Sequence, residues 1–195
     1  MRLPTITLLI LLTAAPLAAQ TKNARCYADV SANIDGGVQN PVISAGCGFD
    51  RELSDTITFD ADGSWRRTRK TLGGGYSLHG SMSLRIGKTY FGIGGVNVAR
   101  QVTSLYNKTA TNVFTGAGIR VTPTTILSGV YYLPDVTSPN RTQGFKAQSE
   151  IFTARHLYLS PHLAAFNQRC NVGLTNTLTG RCTSFEVGIG IGFYF

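Results

Sequence analysis

The last thirteen residues, Thr183 to Phe195, constrain this chain more than any other stretch. Thr183, Phe185, Val187, Ile189, Ile191, Phe193 and Phe195 fall on one side of an extended strand. Ser184, Glu186, Gly188, Gly190, Gly192 and Tyr194 fall on the other. Period-two alternation without a slip predicts a strand whose faces meet different surroundings. The sequence ends there, on an aromatic with no polar tail, whereas termini of soluble domains usually fray into water. Such a strand suits a barrel in lipid, with hydrocarbon on its apolar face, a crowded interior on its glycine face and aromatics at the interface.

The same alternation recurs upstream. Cys26, Ala28, Val30, Ala32 and Ile34 oppose Tyr27, Asp29, Ser31 and Asn33. Past the Asp35-Gly36-Gly37 turn, Ile43, Ala45, Cys47 and Phe49 form the returning apolar face. A short third strand is expected near Asp55 to Asp60, then a long basic loop from Ala61 to Gly75, within which Trp65 to Lys70 could extend a strand. Tyr76 to Ile86 alternates cleanly and turns at Gly87-Lys88 into Thr89 to Arg100, where Gly94-Gly95 suggests a bulge. Val113 to Val121 and Thr125 to Leu133 flank a Pro123-Thr124 turn. Phe145 to Thr153 and Leu157 to Asn167 flank a turn near Arg155, and Pro161, which has no N–H for a ladder, suggests a second bulge. From the fourth strand onward short turns alternate with long loops, as periplasmic and extracellular connections do in a membrane barrel. The expected fold is therefore all-β: a single up-and-down antiparallel transmembrane barrel of eight to ten strands, ten being favoured.

Composition agrees with this. Only 14% of residues are charged and 22 are glycine, which suits many strands and turns. Met1 to about Ala19 has the form of a secretory signal peptide, with Arg2, an apolar run from Ile6 to Ala15, and Ala18-Ala19 before the cut. That leaves 20–195 as one barrel domain. No later run reaches the roughly 18 apolar residues of a spanning helix, so the route across a membrane is a closed barrel. The net charge of +8 falls by one when Arg2 is removed. In an exported chain that excess points to anionic headgroups or sugar phosphates rather than nucleic acid. Four cysteines fit an oxidising compartment, and Cys26 with Cys47 and Cys170 with Cys182 are the natural pairs; no spacing resembles a metal site.

Gly190-Ile191-Gly192-Phe193-Tyr194-Phe195 resembles the C-terminal signal of Gram-negative outer-membrane β-barrel proteins, with Gly190, Phe193 and Phe195 at the characteristic positions. Gly188 stands where that family often has a polar residue. The whole chain looks similar to the OmpA, OmpX and OmpW type of small barrel. The resemblance implies an outer-membrane location, contact with membrane lipids and lipopolysaccharide, and insertion by the barrel assembly machinery through the last strand. It also implies a monomeric envelope protein with a structural, adhesion or small-solute passage role. The alternative of another class is a secreted, lipocalin-like barrel that binds a ligand inside.

On the membrane reading the polar faces point inward: Asp29, His79, Arg85, Arg120, Lys146, Glu150, Ser160, His162 and Glu186. Charges in a narrow lumen must pair, so Arg85, Arg120, Lys146, Glu150 and Glu186 are expected to form an interior network. A hydrolase built on His156, Ser160, His162 and Glu150 is the sharper alternative. The chain lacks a G-x-S-x-G elbow and the His-x-Ser-Asn stretch associated with lipid A deacylase barrels, so no enzymatic activity and no cofactor are expected. Asp60-Ala61-Asp62-Gly63 begins like a calcium loop but has no acidic closing residue, and reads as a turn. Arg66, Arg67, Arg69 and Lys70, beside Trp65, could contact lipopolysaccharide phosphates or remain a solvated loop.

Overall fold

A computed structural model describes residues 24–35, 38–68, 74–86, 89–135, 137 and 141–170, apart from 103–106, and 180–195. Side chains at 35, 38, 68, 74–83, 85–86, 101–102, 107–108 and 169–170 are outside that description, as is the whole signal segment.

Ten antiparallel strands follow one another in chain order. They are β1 (Ala24–Asp35), β2 (Val38–Glu52), β3 (Ile57–Thr68), β4 (Gly74–Ile86) and β5 (Tyr90–Val102), then β6 (Asn107–Thr122), β7 (Thr125–Tyr132), β8 (Gln143–Phe152), β9 (Leu157–Cys170) and β10 (Gly180–Tyr194). Each pairs with its neighbour in sequence, and β10 returns to β1, from Tyr194 opposite Arg25 to Ser184 opposite Asp35. The sheet is thus closed and has no free edge, which is what an all-β chain needs to cross lipid. Phe195 N–H donates to the Ala24 carbonyl and Tyr194 N–H to that of His156, tying the last aromatics to the rim.

The side-chain alternation decides which face looks inward. Phe185, Ile189 and Leu84 are 52, 53 and 52% exposed, while Glu186 is 9% exposed. Val30, Ile43, Val96, Val113, Leu163, Val187 and Ile191 share the outward face. Such a surface is a liability in water and a fit to acyl chains, so the lipocalin-like alternative, which buries its apolar face, does not describe this chain. Outward aromatics gather towards both barrel ends, Tyr90, Phe193 and Phe195 at one and Tyr131, Phe145 and Phe185 at the other.

The described ends of the chain lie at the same rim, whose connections span 53–56, 87–89, 123–124 and 153–156. The strand ends at the opposite rim are separated in sequence by two, five, four, ten and nine residues, on average more than at the first.

Several local expectations are corrected. β3 runs unbroken from Ile57 to Thr68, so most of the expected basic loop is strand and Asp60 to Gly63 is not a turn. Turn propensity gives way because Asp60 and Asp62 find a buried cation inside. No register shift occurs at Gly94-Gly95; the one irregularity in β6 lies between Arg120 and Thr122. Pro161 does not bulge β9. It stays in register with Ile189, and pairing with β8 lapses between His162–Gln148 and Leu159–Ile151 without a change of register. A missing N–H removes a rung and leaves the strand straight.

Cys26 and Cys47 face each other across β1 and β2 and form a disulfide, on the outward side of the wall. Cys182 is not a free thiol, and the side chain of Cys170 lies outside the description.

Candidate functional site: the barrel interior

The inward faces of β1, β2, β3 and β8–β10 carry the charge. Near the rim with the chain ends, Arg25 of β1 reaches across β2. Its Nη2 lies 2.5 Å from Asp60 Oδ2 and 3.8 Å from Asp62 Oδ2, and its Nη1 lies 3.3 Å from Asp50 Oδ1. Nη1 also donates to the Tyr194 hydroxyl at 3.3 Å, and the Tyr27 hydroxyl donates to Asp62 Oδ1 at 3.3 Å. The Phe152, Tyr158 and Tyr194 rings stack beside this cluster, with centroids 5.4 to 5.9 Å apart. Glu150 lies on the same inward face of β8 and accepts from Gln148 Nε2 at 3.4 Å.

Deeper in, a second cluster spans four strands. Arg66 of β3 donates from Nη2 to Glu186 Oε2 of β10 at 2.6 Å. Ser31 of β1 donates to Glu186 Oε1 at 3.1 Å. His162 of β9 stands between two carboxylates, its Nδ1 3.3 Å from Asp29 Oδ2 and its Nε2 3.6 Å from Glu186 Oε1. The His162, Asp29 and Glu186 side chains are 7, 12 and 11% exposed, so this is an enclosed site. Gly188 makes room for it: a Cβ there would stand 2.9 Å from His162 Nε2 and 2.7 Å from Cε1.

Beyond this cluster, towards the rim with the longer connections, Phe114, Tyr132 and Phe166 stack in turn, with centroids 5.4 and 5.7 Å apart. Asn112 donates to the Leu133 and Thr142 carbonyls, pinning the 133–142 loop. On the β5–β7 side the inward positions away from the rim are neutral: Gly95, Asn97, Ala99, Gly116, Gly118 and Ser128 share those faces with Phe91, Phe114 and Tyr132.

Among the described residues the lumen therefore holds six carboxylates, Asp29, Asp50, Asp60, Asp62, Glu150 and Glu186, out of ten acidic residues in the whole chain. Against them stand Arg25, Arg66 and the inward-alternating Lys146. Arg51, Arg67, Arg100, Arg120, Arg141, Arg155 and Arg181 are exposed. The chain is basic as a whole, while its described interior side chains are rich in acids.

Of the interior set expected from sequence, Glu186, Glu150 and Lys146 lie on inward faces. Arg120 follows Gly116 and Gly118 on the same face of β6 but lies at the rim, where it is exposed and donates to the Pro123 carbonyl at 3.3 Å rather than joining either charged cluster. The Arg85 side chain is outside the description. Arg66, expected in a basic surface loop, is instead the partner of Glu186. Arg67 is exposed on the other face of β3, and Arg69 and Lys70 are outside the description. Of the four hydrolase candidates His156 is set apart, in an exposed turn against the Phe193 ring; Ser160 and His162 are successive inward positions of β9, with Ser160 in register with Glu150 of β8, but the acids facing His162 are Asp29 and Glu186. Sequence reading missed Arg25 and Asp50, although carrying the β1 and β2 alternation one residue further would have placed both on the polar faces.

No family model matches this chain, and no curated protein matches it. Among solved structures, an outer-membrane channel from Pseudomonas putida superposes at a TM-score of 0.53, covering 90% of this chain and 96% of that one at 8% identity. The translocator domain of the autotransporter NalP from Neisseria meningitidis matches at 0.46, over 98% of this chain and 95% of its own, at 9% identity. The KdgM porin in complex with oligogalacturonate also matches at 0.46, over 84% and 97%, at 6% identity. The first likeness carries the conclusion, and at such identity it speaks for architecture alone. This chain has the fold of an outer-membrane β-barrel, closed by ten strands.

Proposed function

We propose that the protein is a narrow outer-membrane passage for small cationic solutes, with the chain ends at the periplasmic rim and the longer connections outside the cell. The observation that carries this reading is the acid excess in the lumen. A barrel that is only a structural plug is best served by balanced pairs, because an uncompensated buried charge destabilises the fold. Among the described side chains, six carboxylates face Arg25, Arg66 and Lys146 away from the rim, and such an excess favours a negative potential that attracts cations and repels anions, as rings of acidic side chains do in cation channels. The β5–β7 wall, uncharged among its described side chains away from the rim, is the side along which a solute would pass the two charged clusters.

The test is conductance of the refolded barrel in a planar bilayer under a KCl gradient. A reversal potential on the cation side is expected, moving towards zero when Asp60 and Asp62 are both changed to Asn. Absence of any conductance, or an anion preference, would refute this reading and favour a purely structural barrel. Exposed Arg67, with Arg69 and Lys70 next in sequence, is assigned to lipopolysaccharide phosphates at the outer rim. Retention on a lipopolysaccharide matrix should fall when these three are changed to Gln, and stay unchanged for Arg66→Gln.

A further inference from the structure

We propose that His162 and Glu186, with Asp29 behind the imidazole, form a binding site inside the barrel for one divalent transition cation of the zinc class. The proposal narrows the cation reading to one kind of ion and rests on that reading for access from water.

Geometry carries the argument. One donor atom from each of the three residues lies within 4.8 Å of the other two. His162 Nε2 and Glu186 Oε1 are 3.6 Å apart, too far for a good hydrogen bond. Two ligands bound to zinc at about 2.0–2.1 Å with a tetrahedral angle between them are themselves about 3.4 Å apart. The gap is thus close to that of two ligands sharing an ion. The other ring nitrogen, Nδ1, faces Asp29 Oδ2 at 3.3 Å, the carboxylate–histidine–metal arrangement that fixes the tautomer and makes the ligating nitrogen more basic. Arg66 occupies the far oxygen of Glu186, Oε2, leaving Oε1 towards His162, and the Ser31 hydroxyl stands on the same Oε1. Gly188, opposite both Ser31 and His162, lets the imidazole and Ser31 pack against the backbone of β10, which holds the ring beside Glu186.

Asp29 and Glu186 bring two negative charges and Arg66 one positive, so the cluster without an ion is net negative and attracts a cation. Imidazole with carboxylate oxygen suits zinc and its neighbours better than magnesium or calcium, which take oxygen ligands. Two protein ligands, with water completing the shell, make a site that can release its ion, as a conduction path requires.

The experiment is titration of the refolded full-length barrel in detergent micelles with Zn²⁺ against a chromophoric competitor. One equivalent is expected to bind. His162→Gln should weaken binding by at least about 100-fold, and Asp29→Asn, which keeps both ligands, by about 10- to 100-fold. His156→Gln, in the exposed turn, should bind like the parent, and heat-modifiable gel migration verifies that each variant is folded. If the folded parent binds no Zn²⁺ beyond what the urea-unfolded chain binds, or His162→Gln binds as tightly as the parent, the assignment is wrong and the cluster is an ion-pair plug alone. Should His162→Gln not fold, Asp29→Asn decides: unchanged affinity in that variant overturns the proposal. Zinc binding without conductance would leave this site standing and remove the passage reading; cation conductance without zinc binding would do the reverse.

Discussion

Glu186 accepts from Arg66 and Ser31 on its two oxygens and faces His162 besides. A carboxylate this buried needs such partners, and removing one leaves the desolvation cost behind. Replacing Arg66 by Met keeps the aliphatic length and deletes the charge, so we expect about 2 kcal/mol of lost stability in urea unfolding from lipid vesicles. The double variant with Glu186→Gln should recover part of that loss, because the charge left unpaired is then gone. The role of Arg66 was hidden in the sequence for a local reason. Arg66-Arg67-Thr68-Arg69-Lys70 looks like a solvated run, and only the period-two alternation of β3, weak around Asp60 to Gly63, separates Arg66 from Arg67 onto opposite faces. Glu186 was legible because β10 alternates without interruption. The three residues of the proposed metal site come from β1, β9 and β10, far apart in the chain, so no ligand spacing could reveal them.

At the scale of elements, the inward glycines of β10 are positions where neighbouring side chains already fill the space. A Cβ at Gly192 would overlap the Tyr158 ring, which packs between Phe152 and Tyr194. Gly192→Val is therefore expected to cost about 1–3 kcal/mol through overpacking and to reduce the heat-modifiable fraction on refolding. Gly94 on β5 has open space around it, so Gly94→Ala should leave that fraction unchanged. The β1–β2 hairpin is stapled by Cys26–Cys47, 21 residues apart in sequence. In the loop-entropy account a closure of that length contributes about 3 kcal/mol, so reduction, or Cys26→Ala with Cys47→Ala, should lower the urea midpoint without changing the fold. This pairing was readable because both cysteines fall on apolar faces equidistant from Gly36-Gly37. The length of β3 was not, since aspartates that usually mark turns are here stabilised by Arg25 from across the wall.

For the whole molecule, the decisive property is the inversion of surface and core. Apolar side chains cover the outside of the closed sheet while most of the acidic residues meet a few cations within. In water the outward face would be an aggregation surface; in lipid it is the source of stability, and the charged interior is shielded by the wall. This yields a prediction on which a soluble and a membrane barrel differ in magnitude. Ile189 is 53% exposed and lies near the middle of β10. On the surface of a soluble protein Ile189→Arg would change stability by less than about 0.5 kcal/mol. Near the midplane of a bilayer the same change costs about 2–4 kcal/mol, and the cost falls towards the interfaces. Unfolding from vesicles of Ile189→Arg, set beside Phe193→Arg at the rim, should show that depth dependence, with the larger loss at Ile189. Equal and small losses at both positions would mean that the apolar face does not meet acyl chains, and a lumen sealed from the membrane by its own wall would no longer explain where the charges lie.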